Sequence, residues 1–116
     1  MKLPHAAEAV VPQGKIADYL LSFEHPAGRF KASFFARFGF TGASWQTLAR
    51  ALTRHAEEHE IAESDDTAFG TRYAVDGALD APDGRRPWVR VVWFVERGAT
   101  APRLVTAYPL RKGAER

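Results

Sequence analysis

Pro87-Trp88-Val89-Arg90-Val91-Val92-Trp93-Phe94-Val95-Glu96 is the stretch that decides the fold. Val89, Val91, Trp93 and Val95 fall on one side, and Trp88, Arg90, Val92, Phe94 and Glu96 on the other. This is the two-residue period of a strand, written in β-branched and aromatic residues. Both sides are largely apolar. An antiparallel sheet with one wet face shows a cleaner alternation, so this strand belongs inside a sheet covered on both faces. Three helices suffice for one face. The other calls for the N-terminal segment 1–14, a second protomer or a partner.

Working outward, residues 97–102 turn the chain, residues 103–108 form a last strand, and Pro109 ends its pairing. Residues 110–116 are a polar, basic tail. On the other side, Pro82-Asp83-Gly84 is a strong turn signal. Before it, Phe69, Thr71, Tyr73 and Val75 alternate with Gly70, Arg72 and Ala74 as a half-buried strand does. Residues 60–63 read as a short strand, with Asp65-Asp66 as its turn. Connections this short favour antiparallel pairing, because parallel strands need long crossovers.

Upstream the period becomes helical. Ser44 is a suitable N-cap for a helix to about residue 59, along which Trp45, Leu48, Ala49, Leu52, Ala56 and His59 trace one face. Residues 28–38 carry Phe30, Phe34, Phe35 and Phe38 as an aromatic stripe read as core, with Gly39 as the C′ residue. Residues 15–22 hold Ile16, Tyr19 and Leu20 at helical spacing. That helix stops by His25, which precedes Pro26. Pro4 and Pro12 keep residues 1–14 extended. The expected class is α+β: about three N-terminal helices followed by a four-stranded antiparallel β-meander. Residues 1–116 are expected to form a single domain, with an extended segment at 1–14, helices over 15–59, the sheet over 60–109 and a tail at 110–116.

The 116 residues contain no cysteine, which excludes disulfides, zinc–thiolate sites and cysteine nucleophiles. No apolar run reaches the ~18 residues of a membrane span, and residues 1–15 lack the apolar core of a signal peptide. A cytoplasmic location is the expectation. Net charge is only +2, but it is segregated: residues 25–56 hold five basic residues and no acidic one, and residues 57–66 hold six acidic ones. Such segregation creates either local fields or two solvated faces.

Phosphate loops, HExxH and EF-hand patterns are missing, and no cofactor or metal is expected. His55 and His59 have a chelating spacing, yet a helix end with histidines near its negative dipole accounts for them better. His25 lies in a rigid turn, Glu24-His25-Pro26-Ala27-Gly28-Arg29-Phe30-Lys31, which fixes it relative to Lys31. Metal-independent RNA cleavage needs a base for the 2′-hydroxyl, an acid for the leaving oxygen and cations for the phosphorane. Histidine suits the first two tasks, and lysine or arginine the third. Arg72 and Arg90 share one strand phase, and Thr106 and Tyr108 on the last strand complete a polar patch. His25, Lys31, Arg72 and Arg90 are therefore the candidate catalytic residues, and Thr106 and Tyr108 the candidate substrate-binding ones. The competing reading is that His25 caps a helix and the arginines form surface salt bridges.

The chain also resembles a family of small uncharacterised bacterial proteins, a domain of unknown function seen in polymorphic-toxin-type proteins. The resemblance rests on Lys2-Leu3-Pro4, Lys15-Ile16, Tyr19-Leu20-Leu21, His25-Pro26, Gly28 and Lys31-Ala32, then Phe34-Phe35 and Gly39-Phe40. It continues through Gly70-Thr71-Arg72-Tyr73 and Leu104-Val105-Thr106-Ala107-Tyr108-Pro109. It implies a toxin-associated setting and carries no activity of its own. The order of helices before an antiparallel sheet is also similar to the barnase, colicin-nuclease and RelE group of ribonuclease toxins. Together these lead to the expectation of a toxin-like, metal-independent endoribonuclease acting on RNA and held by a small protein antitoxin. The alternative is a binding module that uses its apolar sheet face for a protein partner or a homo-oligomer.

Overall fold

The computed structural model describes residues 1–26 and 28–110. The alternating half of the chain forms β1 (Ile61–Thr67), β2 (Gly70–Ala78), β3 (Trp88–Glu96) and β4 (Arg103–Pro109). They lie in the order β1-β2-β3-β4, each antiparallel to the next. The strand apolar on both faces is thus an inner one. The expected tail lies, beyond Leu110, outside the described residues.

Among the described residues, three helices longer than one turn precede the sheet, with 3₁₀ turns at Ala6–Glu8 and Gly42–Ser44. α1 covers residues 13–20, winding as an α-helix over Gln13–Lys15 and as a π-helix over Ile16–Leu20, where Leu21 N–H donates to Ile16 O at 2.8 Å. α2 is Arg29–Arg37 and α3 is Trp45–Glu58. Ile16, Leu20, Phe35, Leu48 and Leu52 meet Val75, Val89, Val91 and Trp93 in one core cluster on one face of the sheet. Among the described residues, no helix is long and apolar enough to cross a membrane.

The aromatic stripe of α2 is only partly core. Phe35 is fully buried and Phe34 and Phe38 pack against the cluster, but Phe30 is 73% exposed. At about 100° per residue, Phe30 lies roughly opposite the line set by Ala32 and Phe35, which are the residues α2 buries. The helix ends as glycine at C′ prescribes. Gly39 adopts φ 98°, Gly39 N–H donates to Ala36 O, and Phe40 N–H reaches back to Phe35 O. The Phe35 and Phe40 rings close the motif edge to face at 5.9 Å. Gly39→Ala is expected to cost about 1–2 kcal/mol in urea unfolding, since a Cβ strains this backbone. An unchanged midpoint would refute that account.

Two further expectations are corrected. Ser44 makes no side-chain cap; Thr41 does, its Oγ1 accepting from Ser44 N–H at 3.3 Å before a 3₁₀ turn leads into α3. The first hairpin does not turn at Asp65-Asp66. β1 continues to Thr67 and turns at Ala68-Phe69, where Thr67 Oγ1 accepts from Phe69 N–H and donates to Gly70 O. β1 is an edge strand, and its side chains from Ala62 onward are exposed, so no apolar alternation marks it.

The N-terminal segment does not cover the second face of the sheet. Leu3 is buried, and Ala6, Ala9 and Val11 pack against the helix-side cluster. Backbone bonds strap the segment to both edges of the sheet. Ile61 N–H donates to Met1 O at 2.7 Å, Val10 N–H to Pro102 O at 2.8 Å, and Leu104 N–H to Val10 O at 3.0 Å. On the second face Val92 and Ala74 are buried, while Trp88 and Phe94 are half-buried. Arg90 lies among them, and the aliphatic stem of an arginine covers apolar surface while its head stays polar.

Candidate functional site

Lys15 and Tyr19 stand four residues apart on α1, where the helical period places them on one face. Ile16 and Leu20, each one residue further on, carry the adjacent face into the core. The chain then turns tightly. Ser22 Oγ accepts from Glu24 N–H and His25 N–H, and His25 O accepts from Gly28 N–H and Arg29 N–H. This brings the His25 ring edge-on to Tyr19, 5.0 Å between centroids. Gly28 permits the approach: a Cβ there would stand 2.1 Å from Tyr19 O. Gly28→Ala is expected to destabilise the fold by about 1–3 kcal/mol through overpacking and to separate the two rings. A crystal structure of the variant with the 5.0 Å ring contact intact would contradict this.

The Tyr19 hydroxyl meets Thr106 Oγ1 of β4 at 3.3 Å. The ammonium groups of Lys15 and Lys31 each lie 5.4 Å from the centroid of the Tyr19 ring. Burial raises the phenol's pKa, but the Thr106 hydrogen bond, Lys31 and Lys15 outweigh it, and the pKa falls below that of an ordinary tyrosine. These groups border a cleft of about 650 Å³ between α1, the His25 turn and β4, lined by Gly14, Lys15, Asp18, Tyr19, Val105 and Thr106 together with His25. The cleft joins a phenol, an imidazole, the Lys15 ammonium and the Asp18 carboxylate, and the Lys31 ammonium approaches it over the Tyr19 ring. It is equipped to bind an anion and to move a proton.

His25 also serves the fold. Its Nδ1 accepts from Gly28 N–H at 3.1 Å, so the neutral ring carries its proton on Nε2. That is the helix-capping role weighed against catalysis in the sequence. The two coexist, because Gly28 N–H also has His25 O as an acceptor at 3.0 Å.

The other candidates sit elsewhere on the sheet. Arg90 makes a two-pronged ion pair with Asp76, at 2.7 and 2.8 Å, and a third contact with Glu63 at 3.2 Å. Its pKa is raised, by the Asp76 bonds first and with a contribution from Tyr108. Two carboxylates thus already balance this guanidinium. Arg72 is exposed and pairs in register with Phe94, four residues along β2 from Asp76, or about 14 Å at strand rise. Arg72 and Arg90 share a face but do not converge. Tyr108 lies opposite Arg90, two residues beyond Thr106 on the same face of β4.

Lys15, Tyr19 and Asp18 were not singled out by sequence reasoning. Tyr19 read as an apolar helix residue, and its partner Thr106 lies 87 positions away. The one available signal was the spacing of Lys15 and Tyr19. The histidines of α3 are also corrected. His55 is 1% exposed, and burial, followed by the neighbouring His59, pushes its pKa down to about 4. It is a neutral buried anchor whose Nε2 bonds Gly77 O at 3.1 Å, not a cation at the helix dipole. His59 Nε2 bonds Ala78 O at 2.9 Å.

Fold and site together define an α+β chain in which helix-borne titratable groups face the last strand of an antiparallel meander. The chain belongs to the family described as a domain of unknown function, DUF6883, whose model matches residues 2–111. It is similar in fold to a solved chain from a contact-dependent growth inhibition toxin–immunity protein complex of Klebsiella pneumoniae 342. That likeness has a TM-score of 0.67 at 18% identity and covers 88% of this chain and 100% of the other. No curated protein matches.

Proposed function

We propose that this chain is a toxin-type endoribonuclease that cleaves RNA without a metal and is held inactive by a small cognate protein. The observation that carries the reading is the Tyr19 cluster: a phenol of lowered pKa between two lysines, touching His25 and Thr106, at an open cleft. A fold relative from a toxin–immunity protein complex supports a toxin setting and a small protein partner.

In this reading Lys15 and Lys31 hold the scissile phosphate and stabilise the charge that develops on it. Tyr19 as phenolate takes the 2′-hydroxyl proton, with Thr106 donating to its oxygen. The 2′-oxygen bonds to phosphorus and the bond to the 5′-oxygen breaks. His25, once protonated at Nδ1 and released from Gly28, gives its Nε2 proton to that leaving oxygen. The products are a 2′,3′-cyclic phosphate and a 5′-hydroxyl. Arg90 and Tyr108 support β4 from the next ladder position, and Arg72 has no part in the step.

The test is induced expression in a bacterial host, following growth and total RNA together, with purified protein assayed in excess chelator. Growth arrest with fragmented RNA, abolished by His25→Ala in a folded protein and persisting in chelator, is the expected result. Intact RNA and normal growth from well-folded protein would overturn it. The half-buried Trp88 and Phe94 on the sheet face away from the core cluster favour a second reading, a protein-binding or self-associating module. A stable dimer in light scattering, lost in Trp88→Ala with growth unaffected throughout, would select it.

A further inference from the structure

Two large aromatic side chains stand in water on either side of the His25 turn, which borders the cleft. Phe23 is 61% exposed and Phe30 is 73% exposed. They flank the His25 turn, Phe23 two residues before it and Phe30 directly before Lys31, whose ammonium faces Tyr19. The Arg29 guanidinium lies 5.1 Å from the Phe30 ring centroid. Cationic and aromatic groups therefore interleave along the chain beside the His25 turn, and residues 25–56 bring no carboxylate to it. Glu24 and, within the cleft, Asp18 are the acidic side chains nearby. Neither phenylalanine is in the core: Phe30 lies opposite the buried line of α2, and Phe23 stands exposed before the His25 turn.

Resting on the reading of the cleft as an RNA-cleaving site, we infer that Phe23 and Phe30 form a stacking platform that admits unpaired RNA and excludes duplex. Bases in a duplex already stack on one another and offer no face to a protein ring. Bases in a single strand offer one, and alternating aromatic and cationic groups suit such a strand, with rings for the bases and cations for the phosphates. The flanking Arg29 and Lys31 match a phosphate backbone in charge, which selects RNA over an apolar protein surface as the occupant.

The probe is a 2′-O-methyl RNA decamer, which this chemistry cannot cleave, used alone and annealed to its complement, with binding followed by fluorescence anisotropy. Wild type is expected to bind the single strand at least about 10-fold tighter than the duplex. Phe23→Ala with Phe30→Ala is expected to lose about 10–100-fold of single-strand affinity, leaving duplex affinity and thermal midpoint unchanged. The Phe23→Leu, Phe30→Leu pair keeps apolar bulk and guards against misfolding; it should lose the same affinity, because the aromatic face is what the base uses. Single-strand binding by wild type that neither pair weakens would overturn the platform and leave the cleavage reading standing. Equal affinity for strand and duplex would do the same. Absence of binding to either probe, together with intact cellular RNA, would remove both.

Discussion

Tyr19→Phe is expected to lower the rate of the proposed RNA cleavage by about 10²–10⁴-fold, the usual contribution of a positioned proton acceptor. The substitution removes one oxygen and keeps the ring, so the contacts with His25, Lys15 and Lys31 persist. Thr106 loses a hydrogen-bond partner, a change worth about 1 kcal/mol at a half-buried site, and the fold should survive. Affinity for uncleavable RNA should stay within a few-fold of wild type, because the lysines remain. A second readout is the pH profile. An ordinary tyrosine ionises near pH 10; Tyr19 sits lower because Thr106 and the lysines overcome the opposing effect of burial. The rising limb of the wild-type profile should therefore lie below pH 10, and Tyr19→Phe should erase it. Equal cleavage by wild type and Tyr19→Phe would remove Tyr19 from the reaction and leave His25 without its partner.

Acid should weaken the fold well before the carboxylates titrate. Unfolded, His55 binds a proton near pH 6.5; in the native protein burial and His59 hold its pKa down at about 4, against the pull of the Gly77 and Val89 carbonyls and Asp76. Above pH 7 neither state is protonated at this site, and the full stability is present. As the pH falls from 6.5 toward 4 the unfolded chain gains a proton that the native chain refuses, so stability drops. At about 1.4 kcal/mol per pKa unit the loss approaches about 3 kcal/mol, a large share of a typical total of about 5–15. Urea unfolding at pH 7.5, 6, 5 and 4.5 measures it. His55→Leu should be less stable at pH 7.5, since Gly77 O loses its donor, yet flatter between pH 6.5 and 4.5. Parallel curves for the two proteins would show that His55 is not the group responsible. Glu60 and Asp83, whose pKa values are lowered, in each case first by hydrogen bonding, respond at lower pH and do not imitate this window.

Much of the fold was legible because burial wrote it into the sequence. β3 must alternate, being buried on the core face and half-covered on the other, and α3 must repeat its apolar residues because one side meets the sheet. β1 was misjudged because an edge strand in water has no such obligation, and a run of acidic residues resembles a loop. Phe30 was placed in the core because a stripe was counted by spacing alone; Ala32, too small to stand out, marks the true buried line. The cleft was half legible. His25, Lys31 and Thr106 are in it or touch Tyr19, whereas Arg72 and Arg90 are separated by strand register, which composition does not reveal. Arg90 also carries the carboxylates that balance it, and a strand pattern cannot announce Asp76 as its partner.

The strap between Val10 and β4 has a consequence for how the protein comes into being. Val10 bonds Pro102 and Leu104, and Tyr19 bonds Thr106. Val10 and Tyr19, synthesised before the sheet, must therefore wait for β4 before they find their place. The helices and the first hairpins can form while synthesis continues, but the cleft cannot, because its far wall is the final strand. A nascent chain, or one cut short before residue 103, has the histidine, the tyrosine and the lysines without the surface they face. Under the proposed function this order withholds the hazard until β4 is in place, and a chain trimmed of β4 should leave its host unharmed.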